Sequence, residues 1–355
     1  MRVIAGGGRR SSPSSSLLPH YSSTYRKPAR AKFYRIPSKR WLLLLLAFLA
    51  VAPPLFFHFR FRRFHQMRLR KCGWLQSPPL VCAHGGDSSR AVPNTQMDAY
   101  RIAIDSRVDC IEMDISRSSD GVLFSLHDSR DLQRMSGNST ARVGYMNMNE
   151  IKELDAGSQF PQEFHNQKVP TAESALALIT SSVGKVILDA KVGPPSYEKD
   201  LAKDILSIVN KTHCQNCLVW SKSDILGRDV TELSQDVMQD LPRIKSVRVP
   251  NCHPVLGLSL VGYIVMSDPS TGARSKLLRM KGAGVVGVYH HLVDTKLVRI
   301  LHRAGKKVYA WTVDDSESMQ RMLFEGVDAI ITSNPGLLQG LMQDLKTECL
   351  QDDFP

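Results

Sequence analysis

Between residues 109 and 128 the chain reads DCIEMDISRSSDGVLFSLHD, which threads Glu112, Asp114, His127 and Asp128 through otherwise apolar runs. A strand interior is a poor place for carboxylates unless a metal ion, a fixed cation or solvent at a cleft mouth compensates them. Glu112 and Asp114 are two apart, so on a strand their side chains leave the same face. VILDAKV repeats that spacing with Asp189 and Lys191, and AHGG puts His84 at the end of another apolar run. Three converging carboxylates suit a hard divalent cation, Mg2+ or Ca2+. Two histidines, such a cation and a lysine are sufficient equipment for cleaving a phosphodiester. The cation and Lys191 would neutralise the nonbridging oxygens. One imidazole would take a proton from the attacking hydroxyl or water, and the other would protonate the leaving oxygen. Glycine-rich phosphate loops compete poorly, because GAGVVG lacks both the lysine of a P-loop and the spacing of a dinucleotide fingerprint.

These residues act together only if their strands end in one place. Strand candidates are LVCAHG, CIEMDIS, VLFSLHD, GKVILDAKV, CLVWSK, VGYIVMS, GVVGVYH, KVYAWTV and DAIITS. Helical stretches are expected around 94–107, 171–182, 197–211, 224–239, 270–281, 292–304 and 315–325. Such alternation predicts an α/β fold with a parallel sheet, and eight or nine strands favour a (β/α)8 TIM barrel, whose active site lies at the strand C-termini. His84 then closes the first strand, Glu112 and Asp114 the second, and His127 with Asp128 the third. Asp189 and Lys191 close the fourth, Ser221 and Lys222 follow the fifth, and Trp311 and Asp314 the eighth. Two places depart from a regular barrel. RSSDG is too short for a helical crossover, so one of the strands it joins is expected outside the eight. Residues 129–170 read as an insertion after the third strand, with one short helical patch at NMNEIKEL.

The formal charge is +12, but it is lopsided: residues 1–71 hold 16 of the 46 Lys and Arg and no acid, leaving 30 basic residues against all 34 acidic ones. The body is thus slightly acidic, which argues against a nucleic-acid partner. Trp41 to Phe57 are seventeen residues without charge, near the lower limit for a bilayer crossing, and Pro53 and Pro54 are expected to weaken the helix near one end. Ten basic residues precede this span and six follow it before residue 72, which leans toward a cytosolic N-terminus and a luminal or extracellular body. The Ser- and Arg-rich start fits a disordered tail and equally an organelle transit peptide. The expected plan is a tail at 1–40, a transmembrane helix at 41–59, a basic linker at 60–78, the barrel at 79–342 and a C-terminal tail at 343–355. Seven cysteines show no dense framework. HCQNC lacks a second ligand pair at zinc spacing and reads as a local disulfide or buried thiols. Asn138 and Asn210 stand in glycosylation patterns that matter only for a luminal body.

The motifs taken in order resemble the glycerophosphodiester phosphodiesterase family over roughly residues 79–342. They are AHGG, PNTQMDAY, IEMDISRSSDGVLFSLHD, LDAGSQF with VPTAESAL, LDAK, AWTVDD and GVDAIITSNP. The resemblance implies a TIM barrel with a small insertion and metal-dependent hydrolysis of a glycerophosphodiester to sn-glycerol 3-phosphate and an alcohol; some membrane-bound relatives also act on lysophospholipids. By the same resemblance His84 and His127 are the acid and base pair, Glu112, Asp114 and Asp189 the metal ligands, Lys191 the lysine near phosphate, and Trp311 a pocket aromatic. Asp189 replaces a family glutamate. Gly85 stands where the family usually places a phosphate-clamping arginine, and Pro93 where it has a glutamate; Arg90 is the candidate to restore the charge. A weakly active membrane-associated binding protein is the alternative that Gly85 supports. The resemblance leaves the oligomeric state open.

Overall fold

The computed structural model describes residues 38–89, 91, 97–158, 160, 164–240, 261–267, 271–272 and 275–351. Arg90, Pro93, Cys252 and the N-terminal tail through residue 37 lie outside the described residues. The chain divides into two units, Met1–Arg60 and Phe61–Pro355.

Helix α1, Lys39–Cys72, carries the apolar run and includes Pro53 and Pro54. It is long and apolar enough to cross a membrane, with a mean hydropathy of 2.3 in its most apolar window and no burial there. The helix does not stop where the apolar residues stop. Most of the stretch expected as a linker is helical through Cys72, followed by a 3-10 turn at Gly73–Gln76. Its last turns belong to the second unit, within which Arg70 pairs with Glu325, Lys71 pairs with Glu348 and Cys72 forms a disulfide with Cys349.

The elements that follow are β1 Leu80–His84, α2 Met97–Asp105, β2 Cys110–Arg117, β3 Leu123–Ser125, α3 Ser129–Ser136 and α4 Met148–Lys152. Next come α5 Ala172–Ile179, β4 Lys185–Ala190, α6 Leu201–Lys211, β5 Cys217–Ser221, α7 Asp224–Asp240 and β6 Val261–Val265. The chain finishes with β7 Val285–Tyr289, α8 Thr295–Arg303, β8 Lys307–Trp311, α9 Ser316–Glu325, β9 Ala329–Thr332 and α10 Pro335–Gln351. Eight parallel strands run β1-β9-β8-β7-β6-β5-β4-β2 and close through the β1–β2 pairing, giving a TIM barrel. Strand β3 is the one outside the eight: it folds back antiparallel on the end of β2, with Ile115 opposite Ser125 and Arg117 opposite Leu123. The short RSSDG link thus makes a hairpin, turning at Gly121 with φ +83°.

Alternation along the strands sorts the core into two layers. Outward residues such as Ile111, Met113, Val186 and Leu188 pack with the helices. Inward residues, including Cys82, Cys110, Ile187, Leu218, Trp220, Ile264 and Tyr309, fill the barrel interior. Cys82 and Cys110 are register partners on β1 and β2 and are joined by a disulfide within that interior. The helix expected at 270–281 is not formed in the described part of that range, which is built from turns. From 343 to 351 the expected tail is instead the continuation of α10, and residues 352–355 lie outside the described residues. HCQNC forms a Cys214–Cys217 disulfide.

The insertion after β3 has its own small core of Phe124, Leu126, Leu132, Met148 and Ile151. Asp128 caps α3 by accepting from the Arg130 and Asp131 N–H groups. Asn147 and Glu150 form a capping box on α4, where the NMNEIKEL patch was expected to be helical.

Candidate active site

Inward parity places the polar residues. His84, Glu112, Asp189 and Trp311 each follow, by two positions, an inward residue of the interior layer: Cys82, Cys110, Ile187 and Tyr309. They therefore form the next layer toward the strand C-termini, and Asp114 and Lys191 stand one step beyond Glu112 and Asp189. His84 is the register partner of Glu112, and Asp114 of Asp189, so two carboxylates sit side by side on adjacent strands.

Glu112, Asp114 and Asp189 are 2%, 0% and 8% exposed, and their carboxylate oxygens can all be taken within 4.8 Å of one another. The resident counter-charge is the Lys191 ammonium, 2.5 Å from both Asp114 Oδ1 and Asp189 Oδ2. Burial pulls the lysine's pKa down, but Asp189, Asp114 and Glu112 outweigh it, and the ammonium is held more firmly than usual. Burial, then repulsion from Asp114 and Asp189, pushes the Glu112 carboxyl well up, opposed by Lys191 and by the Gly85 N–H. Among the described residues one ammonium faces three buried carboxylates, whose oxygen-only donor set fits a hard divalent cation. A second acidic group, His127, Asp128 and Asp131, fits less well. Asp128 is committed to the α3 cap and to a two-point clasp by Arg130, and Asp131 pairs with Arg134.

The histidines flank the carboxylates with side chains 29% and 43% exposed for His84 and His127. His84 Nε2 lies 4.0 Å from Glu112 Oε2. Burial is the main cause that lowers the His84 pKa; Asp114 and Asp314 resist, while Lys191 and His127 add to the lowering. His127 Nδ1 is 3.4 Å from Asp128 Oδ2, yet the closer contacts of that carboxylate go to Arg130, so Asp128 serves the helix cap first. The segment carrying His127 is held from beneath by buried Ser116, whose hydroxyl donates to the Leu126 carbonyl at 2.8 Å. Ser125 adds a 2.6 Å contact to the Tyr100 hydroxyl and donates its N–H to the Pro170 carbonyl. Nothing about Ser116 or Ser125 marks them in sequence, because a lone serine in a strand is unremarkable until its neighbour across the hairpin is known.

Trp311 stands on β8, paired with Tyr289 of β7 at a ring separation of 5.6 Å. Strand order puts this aromatic side of the barrel away from β1, β2 and β4. Tyr289 also stacks on His291 at 4.8 Å, a partnership absent from the expected set. Arg90 lies outside the described residues, so the structure places His84, Glu112, Asp114, Asp189 and Lys191 together, His127 beside them and Trp311 in the same inward layer.

This arrangement of barrel, carboxylates and histidines agrees with what the chain is similar to. The sequence profile of the glycerophosphoryl diester phosphodiesterase family matches residues 84–337. The chain belongs to this family. It is 55% identical over 331 residues to the glycerophosphodiester phosphodiesterase GDPD4 of Arabidopsis thaliana, covering 93% of this chain and 94% of that one. A glycerophosphodiester phosphodiesterase of Caldanaerobacter subterraneus is 29% identical over 264 residues, covering 74% and 98%. In fold it resembles a phosphodiesterase of Oleispira antarctica solved with the product sn-glycerol-3-phosphate, with TM-score 0.59, 22% identity, and 75% and 97% coverage. The chain is thus an enzyme of the glycerophosphodiester phosphodiesterase type. Within the family pattern, position 85 now has a structural description: Gly85 has φ +64° and its N–H donates to Glu112 Oε2 at 3.1 Å. Its neighbour Gly86, with φ +89°, must be glycine, since a Cβ there would lie 2.6 Å from the Ala99 carbonyl carbon.

Proposed function

We propose that the enzyme hydrolyses glycerophosphodiesters to sn-glycerol 3-phosphate and the head-group alcohol, with a divalent cation, Mg2+ or Ca2+, held by Glu112, Asp114 and Asp189. The observation that carries this reading is the buried trio of carboxylates beside His84 and His127. When bound, the cation supplies Lewis-acid stabilisation of the charge that grows on the phosphoryl oxygens. Lys191 shares that task, as an ammonium fixed at the edge of the cradle. His84 is the general base: burial lowers its pKa, which favours the neutral imidazole that accepts the proton of the attacking water or hydroxyl. His127 is the general acid: it lines the open cavity beside the carboxylates, and it gives a proton to the departing alkoxide as the phosphorus–oxygen bond breaks. Trp311 lines the opposite side and packs against the glycerol, and Arg90 is the remaining candidate for a guanidinium near the phosphate. Gly85 cannot clamp phosphate with a side chain; its backbone instead steadies Glu112.

The body is proposed to be tethered by α1 in a single crossing and to face a lumen or the outside. Three disulfides support an oxidising compartment. The exposed apolar helix also favours lysophospholipids as a second substrate class, because it would hold the barrel near lipid. Purified full-length protein, assayed for glycerol 3-phosphate release, tests the assignment of the two imidazoles. His84→Gln and His127→Gln are each expected to lower kcat by about 100-fold or more. Retention of wild-type turnover in either variant would remove that histidine from the mechanism.

A further inference from the structure

A cavity of about 470 Å3 opens beside the carboxylates, between the insertion and the loop from β4 to α6. His127, Asp189 and Lys191 are part of its lining, so an occupant would lie directly beside the catalytic groups. Its shape is built in: Gly144 of the insertion has φ +87°, and a Cβ there would collide with the Pro194 carbonyl of the facing loop. This volume is ample for a sugar-sized alcohol and far exceeds what an ethanolamine group needs.

The charges lining the cavity select among alcohols. Arg117 is engaged by Asp204 at 2.9 Å and by the Lys199 and Tyr197 carbonyls. Arg130 is clasped by Asp128, and Lys191 by Asp114 and Asp189. Two cations remain. Arg142, from the insertion, and Lys222, directly after β5, line the cavity without an ion pair to a carboxylate among the described residues. Ser129, Ser196 and Tyr197 add hydroxyls. Such a lining disfavours a quaternary ammonium and favours a ligand that brings both hydroxyls and negative charge.

We propose that this cavity is a head-group subsite for alcohols that carry an anionic group of their own, of the phosphorylated polyol class, held by Arg142 and Lys222. The inference rests on the diesterase reading and adds the substrate class to it. The full-length enzyme would be assayed on glycerophosphoinositol 4-phosphate and on glycerophosphocholine. The wild type is expected to show the higher kcat/KM on the anionic diester. Arg142→Ala and Lys222→Ala are each expected to lower that value about 10-fold or more, while changing glycerophosphocholine turnover by less than about threefold. Equal losses on both substrates, or a wild-type preference for choline, would overturn the proposal. If the wild type cleaves neither diester, the diesterase reading itself fails, and calorimetric titration with free inositol 4-phosphate decides the subsite. Binding weakened about 10-fold in each variant supports it; no binding, or binding unchanged in both, refutes it.

Discussion

Replacing Glu112 by glutamine should change the sign of its effect on stability according to whether cation is present. Glu112 is 2% exposed and its carboxylate lies within 4.8 Å of those of Asp114 and Asp189. At that separation each like-charge pair costs about 3.5 kcal/mol at an effective dielectric constant near 20. Lys191 offsets part of this, contacting Asp114 and Asp189 at 2.5 Å. In the metal-free protein burial, and then repulsion from Asp114 and Asp189, pushes the Glu112 carboxyl well above its usual 4.5. A carboxyl whose folded pKa is raised binds more protons folded than unfolded, so it favours folding below 4.5 and loses that contribution as pH rises through the raised value. Without cation, Glu112→Gln should therefore melt at or above the wild type, with the gap widening as pH rises above 4.5 toward the raised value. Cation at 100 times its dissociation constant should add about 2.7 kcal/mol to the wild type, or about 5–8 °C in Tm for a body of this size. The variant should keep less than about a third of that shift. Melting curves of the detergent-solubilised chain, with chelator and then with Ca2+ or Mg2+, give both comparisons. A chelated variant that melts several degrees below wild type, or equal cation shifts in both proteins, would refute the reasoning.

Turnover should persist to lower pH than an ordinary imidazole of pKa 6.5 would allow, since burial lowers the base His84; an acid limb of kcat/KM at or above 6.5 that vanishes in His84→Gln would contradict this. The same shift makes folding less favourable as pH falls below 6.5, because the unfolded imidazole binds the proton first. The Cys82–Cys110 disulfide lies one inward step beneath the His84–Glu112 pair. Its removal in the Cys82→Ser, Cys110→Ser double variant should cost about 3–4 kcal/mol of stability from loop closure alone and weaken cation binding, read by denaturant titration and calorimetry. Asn138 and Asn210 are exposed, so in a luminal body peptide N-glycosidase should shift the electrophoretic mobility of the protein isolated from its native host. An unshifted band, in a protein whose body is accessible to cytosolic protease, would reverse the topology.

The barrel was legible because inward and outward faces of parallel strands leave different marks. All nine strand candidates are strands, and the short RSSDG link identified the hairpin that keeps β3 out of the eight. The polar site was legible for the same reason: carboxylates at i and i+2 in an apolar run have few structural excuses. Helix ends were less so. The apolar run said where a membrane span could begin and end, but not that the arginine-rich residues after it continue as helix to Cys72. Charged and apolar residues there serve a helix and a linker equally well. The helix expected at 270–281 is not formed among the described residues, where tertiary partners override propensity: the Leu277 carbonyl accepts from the Tyr263 hydroxyl, and Arg279 pairs with Asp224 and donates to the Ile264 carbonyl. The Cys72–Cys349 pairing was beyond the sequence, since the two are 277 positions apart. Arg142 was mute, and Lys222 was marked only by its place after the fifth strand, because what distinguishes them is the company their neighbours keep.

The most direct test of the cation cradle is an anomalous difference map from crystals grown with Mn2+ and soaked in sn-glycerol 3-phosphate. The account predicts one strong peak within ligand distance of Glu112, Asp114 and Asp189, with phosphate between it and the two imidazoles. A peak instead among His127, Asp128 and Asp131, or none within reach of Glu112, would contradict it.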